Sequence, residues 1–304
     1  MSVLAVGTVA FDRIETPFGK RERALGGSAM YITMAARFMS DDVKLIAVVG
    51  NDFPNEYIED MRSRGIDLSG LEIRKDELTF AWGGRYHYDL NQRDTIYTDL
   101  NVLSSFHPVI SEGHKESKVL CLGNLDPIVQ NSVLDQVVRP SIVICDTMNY
   151  WIENTPDQLK KILPKVDCLV INDSEARELS GEPNLVVASR KIRDMGPQIV
   201  VVKKGEHGAL MFAEGTFFTV PAYPLEDIQD PTGAGDAFMG GFAGYLSGCP
   251  EINLDALKSA LVHGSAIASF TVEHFGPEGL YDLTKAEIEK RIKAFQLLTS
   301  IPSV

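Results

Sequence analysis

The chain holds 304 residues, 44% hydrophobic and 23% charged, with 29 Lys and Arg against 42 Asp and Glu for a formal net charge of -13. This composition excludes a disordered or collagen-like chain, and a core of this size needs no disulfide or metal staples. The acidic excess argues against a nucleic-acid partner, which calls for a basic patch, but leaves open a small anionic substrate that needs only a few local donors.

In chain order, short runs rich in Val, Ile and Leu recur at Val3–Val6, Leu45–Val49, Val119–Leu122, Ile142–Cys145, Cys168–Ile171 and Ile199–Val202. Unbroken apolar runs of this length suit strands buried on both faces of a parallel sheet. Helix-like stretches fall between them, at Gly27–Phe38, Asn55–Arg64, Ile128–Val138, Asp157–Leu163 and Asn184–Met195. The alternation predicts a doubly wound α/β fold with a mainly parallel sheet.

Two regions break the rhythm. Asp12–Leu25 is charged and Gly/Pro-bearing, and Leu71–Thr98 alternates bulky and polar residues, the period of half-exposed strands. Together they predict a small β-sheet lid, formed by about 12–25 and 71–100 within a single domain spanning 1–304. Phe80, Trp82, Tyr86 and Tyr88 would lie on it, and Gly83-Gly84 would be a bend or hinge. Beyond Gly205 a hairpin is expected over Ala209–Phe212 and Thr216–Val220. Helices follow over Ala234–Leu246, Leu254–Val272 and Lys285–Leu298.

No apolar run reaches the 18 residues of a membrane span, so no membrane partner is expected. The start, Met1 to Gly7, lacks the basic region of a signal peptide. Of the four cysteines, Cys121, Cys145 and Cys168 sit in strand-like runs, Cys249 lies outside them, and none shows CxxC spacing. Core packing is the expected role, and the cytoplasm the expected compartment.

The chemistry concentrates in Asp230-Pro231-Thr232-Gly233-Ala234-Gly235-Asp236. A turn of small residues that opens a helix aims free backbone N–H groups and the positive dipole end at an anion. Asp236, in the first helical turn beside such an anion, is placed to take the proton of an attacking hydroxyl. A plain helix N-terminus with one acidic residue explains the pattern about as well. Gly240, Gly241 and Gly244 within the same helix cost about 1 kcal/mol each against Ala, which favours close approach of something. P-loop, dinucleotide GxGxxG, HExxH and GxSxG patterns are absent. The six histidines show no metal-ligand spacing.

This segment resembles the DTxGAGD signature of the ribokinase-like (PfkB) carbohydrate and nucleoside kinases, and the resemblance runs along essentially the whole chain. Gly7 to Asp12 ends the first strand, Gly26-Gly27 opens the first helix, Asn172-Asp173-Ser174-Glu175 matches NxxE, and Gly205 to Gly208 resembles a GxxG near ATP. The resemblance implies transfer of the γ-phosphoryl of ATP, with Mg²⁺, to a hydroxyl of a small polyhydroxylated substrate, on a Rossmann-like core with a β lid. It implies Asp236 as general base and the backbone of Gly233, Ala234 and Gly235 as anion hole. Asn172 and Glu175 would act on ATP and on Mg²⁺ through water, with Gly205, Gly208 and Ser265 at the nucleotide. Asp12, Gly27 and Asn124 would hold the substrate, and the carbonyls of Asp230 and Thr232 match positions that bind a monovalent cation, often K⁺, in some members.

Two residues depart from the family pattern. Tyr31 stands where ribokinase-type members carry a sugar-binding Asn, and Pro231 where Thr is common. The leading expectation is therefore a kinase for a sugar or sugar-like acceptor other than plain ribose. A nucleoside or inositol-type kinase is the alternative, ahead of a non-catalytic binding protein. The aromatic lid also offers a surface on which two copies pair as a homodimer.

Overall fold

The computed structural model describes residues 1–300. Its strands are β1 Ser2–Val6, β2 Ala10–Thr16, β3 Gly19–Gly26, β4 Asp42–Gly50, β5 Ile66–Arg74, β6 Ala81–Tyr86, β7 Arg93–Asp99, β8 Val119–Leu122, β9 Ile142–Cys145, β10 Cys168–Asn172, β11 Ile199–Lys203, β12 Ala209–Ala213 and β13 Thr216–Val220. Nine of them form one sheet in the order β13-β12-β11-β10-β9-β8-β1-β4-β5. From β11 to β5 all neighbours are parallel, and the β12–β13 hairpin adds an antiparallel edge.

Every apolar run expected to be a strand is one. The reason lies in the packing: Cys168 and Val170 of β10 join Phe238, Phe242 and Leu261 in the core on one face. Leu169 and Ile171 join Leu159, Ile162 and Ile192 on the other. With helices on both faces, no strand position needs a polar residue. Cys121, Cys145 and Cys168 are buried free thiols in these strands, as expected.

The mid-helix glycines also find their explanation here. A side chain at Gly240 would collide with Ile32 O, one at Gly241 would fall 2.9 Å from Ile267, and one at Gly244 2.8 Å from Ala36 O. What comes close is neighbouring helices, Ser28–Ala36 and Leu254–Thr271, rather than a ligand.

The smaller sheet has the order β3-β2-β6-β7. It sits between β1 and the helix Ser28–Ala36 in the chain and returns after β5. Residues 71–74, expected in the lid, instead belong to β5, which pairs with β4 from Val43↔Ile66 to Gly50↔Arg74. An edge strand is half-exposed, so it shows the same period-2 alternation as a lid strand, and periodicity does not tell the two sheets apart. Gly83 and Gly84 lie inside β6, where the register to β7 shifts between them. Their missing side chains make room for the rings of Tyr97 and Trp82 on opposite faces. No helix among the described residues is long and apolar enough to cross a membrane.

Candidate active site

Charged residues gather at the carboxyl ends of the parallel strands, where open α/β sheets bind ligands. Asp146 follows β9, Asn172 ends β10 and Lys203 ends β11. Thr8 and Ser28 exchange backbone-to-hydroxyl hydrogen bonds (3.1 and 2.9 Å), which fastens the Gly26-Gly27 turn to the end of β1. Gly27 has φ +98° and caps the helix Ser28–Ala36, and a side chain at Gly26 would collide with the carboxylate of Asp12.

The loop into the helix Ala234–Gly248 is braced by Asp230, which is fully buried. Its Oδ1 accepts from Thr232 N and its Oδ2 from Gly276 N, both at 2.9 Å. Gly233 takes the left-handed conformation (φ +76°), and the ring of Tyr31 fills the space a side chain there would need. Only glycine meets both conditions. Ala234 N donates to Pro231 O at 3.2 Å. The turn therefore consumes one of the three donors expected for an anion hole, and Ala234 drops out of it. Among the described residues, Gly233 N and Gly235 N have no backbone acceptor.

Asp236 stands in the first turn of that helix. Its Oδ1 is shielded from solvent and has no hydrogen-bond partner among the described residues. Burial, then the charge of Asp146, pushes its pKa up to about 7, while Lys203 and Arg93 pull it back. A carboxylate poised near neutrality suits a base that must both take and release a proton.

Asn172 and Glu175 form a capping box for the helix Asp173–Ser180. Glu175 N donates to Asn172 Oδ1 (2.8 Å), and Asn172 N donates to Glu175 Oε2 (2.7 Å). The box leaves Asn172 Nδ2 and Glu175 Oε1 without a protein partner among the described residues. Burial and the charge of Asp146 raise Glu175 to about 7. Lys203 Nζ lies 3.4 Å from Asp146 Oδ2, and a side chain at Gly235 would come within 2.8 Å of it. Neither Asp146 nor Lys203 emerged from motif reading. A charged residue directly after a buried apolar strand was the available signal.

The small sheet supplies the other side. Asp12↔Trp82 and Ile14↔Gly84 are paired between β2 and β6, so Asp12, Trp82 and Tyr86 share one face. Tyr86 is buried, and Thr232 Oγ1 donates to its hydroxyl at 3.1 Å. Arg93 lies over the Trp82 ring, 5.5 Å from the centroid. Its charge acts on Asp12, Asp146, Glu175 and Asp236. Burial, with the charges of Asp230 and Asp236, raises Asp12 to about 8. Tyr31 is 1% exposed and its hydroxyl has no partner among the described residues. Its pKa is held well above the usual phenol value by burial, then by Asp12, Asp230 and Asp236, so it borders the same space.

Other expected residues stand further out or are explained locally. Gly205 opens a short turn that Asn91 of the β6–β7 connection touches, and Gly208 packs against Val220 and Pro221. Asn124 accepts from Trp151 Nε1 at 2.8 Å and donates to Met148 Sδ at 3.0 Å. Ser265 is half-buried on the helix Leu254–Thr271. Tyr88 is 86% exposed and does not line the site.

Comparison with known families gives a match over residues 2–282 to the pfkB family carbohydrate kinases. The chain belongs to that family. Among the family's members, a cytidine kinase of Thermococcus kodakarensis is 30% identical over 86% of this chain and 96% of its own. A nucleoside kinase of Methanothermobacter thermautotrophicus is 28% identical over 91% of each chain. The solved Burkholderia thailandensis nucleoside kinase in complex with inosine superposes with a TM-score of 0.80, at 21% identity and 98% coverage of both chains. As a family member, this kinase is a phosphotransferase acting on a hydroxyl group of a sugar or nucleoside, and nucleotides are used across the family.

Proposed function

We propose that this kinase uses ATP to phosphorylate the hydroxymethyl group of a nucleoside. The observation that carries the transfer is Asp236, whose shielded and unpartnered Oδ1 lies one residue past the open N–H of Gly235. Asp236 takes the proton of the attacking hydroxyl, while Gly233, Gly235 and the helix dipole stabilise charge on the transferring group. Asp12 holds the acceptor's other hydroxyls, with Gly27 next to it and Asn124 as a further contact from outside. Closure of the small sheet, signalled by the Tyr86–Thr232 bond, keeps water from competing as acceptor.

Asn172, Glu175, Gly205, Gly208 and Ser265 would hold the nucleotide. No three His, Cys, Asp or Glu among the described residues are grouped to hold a metal by themselves. This suits Mg²⁺, which usually arrives on phosphates and takes few protein ligands. Glu175 would hold it through water, and Mg²⁺ supplies neutralisation of the phosphate oxygens. The carbonyls of Asp230 and Thr232 accept no backbone N–H among the described residues, which leaves them open to K⁺.

For the acceptor, the likeness to a cytidine kinase favours a nucleoside over a free sugar. The half-buried Trp82 adds aromatic surface where a base or ring substituent gains contact, and the Tyr31 hydroxyl, without a partner among the described residues, borders the same space. Measured ADP release with a panel of nucleosides, sugars and cyclitols tests this. Nucleosides should lead, and Tyr31→Asn should narrow their lead over ribose. A kcat/KM for ribose at or above about 10⁴ M⁻¹s⁻¹, typical of a good substrate, would count against a nucleoside acceptor. The exposed edge strand β7 is where two copies would pair, which sedimentation reads out. The buried free thiols suit a reducing cytoplasm.

A further inference from the structure

Five carboxylates, Asp12, Asp146, Glu175, Asp230 and Asp236, surround the space where the proposed transfer takes place. A triphosphate entering that space adds several negative charges to them. The cations that act on Asp236 and Glu175 are Arg93 and Lys203. Arg93 is exposed and stands on the small sheet, whereas Lys203 is embedded at the end of a central strand with its side chain 19% exposed.

Lys203 is held loosely for a buried charge. Its pairing with Asp146 at 3.4 Å is longer than the roughly 2.7–2.9 Å of a strong charge-assisted bond, and among the described residues it has no other hydrogen bond. Burial works against its charge, but Asp146, Glu175 and Asp236 outweigh that and keep the ammonium protonated. The ammonium also lies directly against Gly235, where any side chain would meet it. A structural ion pair alone does not call for that placement beside Gly235, whose backbone N–H has no backbone acceptor among the described residues.

We propose that Lys203 is a phosphate-binding residue of the transfer site, whose ammonium leaves Asp146 for the terminal phosphate oxygens held at Gly235 when the nucleotide binds. The inference rests on the reading of residues 233–236 as the place of phosphoryl transfer. A lysine suits the step because its flexible stem carries a compact point charge to a phosphate.

The test measures ATP affinity by calorimetry, steady-state kinetics and thermal unfolding for the wild type, Lys203→Met, Asp146→Asn and the double variant. Wild type must bind ATP and turn over at least one acceptor, and failure there sinks the functional reading itself. Given an active wild type, Lys203→Met should lower kcat by about 10²–10³-fold, the scale for loss of one charge-stabilising donor. It should also weaken ATP binding. Asp146→Asn frees the ammonium and should bind ATP at least as tightly as wild type. The double variant removes the buried pair together, so it should regain thermal stability and stay slow, which keeps the test open if Lys203→Met does not fold. Wild-type kinetics in Lys203→Met, weakened ATP binding in Asp146→Asn, or recovered turnover in the double variant would each overturn the proposal.

Discussion

The two faces of the site are built differently. On the large sheet, Asp236, Gly233 and Lys203 are set by a helix start and strand ends whose apolar residues are fully buried in two cores. Of the small sheet, Ile14 and Tyr86 cluster with Phe275, while Phe11 and Leu25 at its base join a core shared with the helix Ser28–Ala36. At about 1.5–3 kcal/mol per buried apolar side chain, that is a modest anchor. Beyond its backbone ladders it adds surface ion pairs, such as Glu15 with Arg13, Lys20 and Arg85, which are worth little each. The groups proposed for the chemistry thus sit on deeply buried elements, and those proposed to face the acceptor sit on a sheet anchored by fewer buried side chains.

If that division holds, changes on the large sheet cut turnover and changes on the small sheet shift acceptor affinity. Asp236→Asn should have the largest effect, lowering kcat by about 10²–10⁴-fold. ATP binding should survive, because the proposed phosphate donors are backbone N–H groups and Lys203 rather than Asp236; near-normal turnover would remove Asp236 from its role.

Titration should show the same asymmetry. As the proposed base Asp236 has to be ionised, and its pKa is raised to about 7. The kcat/KM for the acceptor should therefore fall about tenfold per unit below pH 7, and a flat profile from pH 5 to 8 would contradict the assignment. Stability should run the opposite way. The folded pKa values of Asp12, Glu175 and Asp236 lie above the roughly 4 of an unfolded carboxylate. Their contribution is present below about pH 4 and is lost as pH rises through 7 to 8. The ligand-free Tm should decline over that upper range, and the loss should shrink in the Asp12→Asn variant.

Asp230→Ala should destabilise next. It leaves the N–H groups of Thr232 and Gly276 unpaired, at about 1–3 kcal/mol apiece. Denaturant unfolding would reveal this, and an unchanged midpoint would mean the loop does not need its brace. The smallest effect belongs to the small sheet. Tyr86→Phe removes one hydrogen bond to Thr232, about 0.5–1.5 kcal/mol. The KM for the acceptor should rise up to about tenfold while kcat holds. A fall in kcat alone would place Tyr86 with the groups on the large sheet.

Much of the site was legible because its parts are local. Gly233 to Asp236 form one turn, and Asn172 with Glu175 form a capping box whose partners are three residues apart. The glycines Gly240, Gly241 and Gly244 were legible as close approach, but not as helix crossings, since the partner helices are distant in the chain. Asp146 and Lys203 escaped motif reading because they have no sequence neighbour in common. They meet because β9 and β11 both flank β10.

The sequence by itself determined the strands, the alternation with helices and the turn that carries Asp236, since periodicity, glycine and capping act over a few residues. Only the tertiary structure decided that Ile66–Arg74 joins the large sheet, that Tyr31 packs against Gly233, and that Lys203 lies beneath Gly235. Those outcomes depend on which elements become neighbours. Sheet order and helix packing settle that over separations of tens to hundreds of residues, beyond the reach of any local pattern.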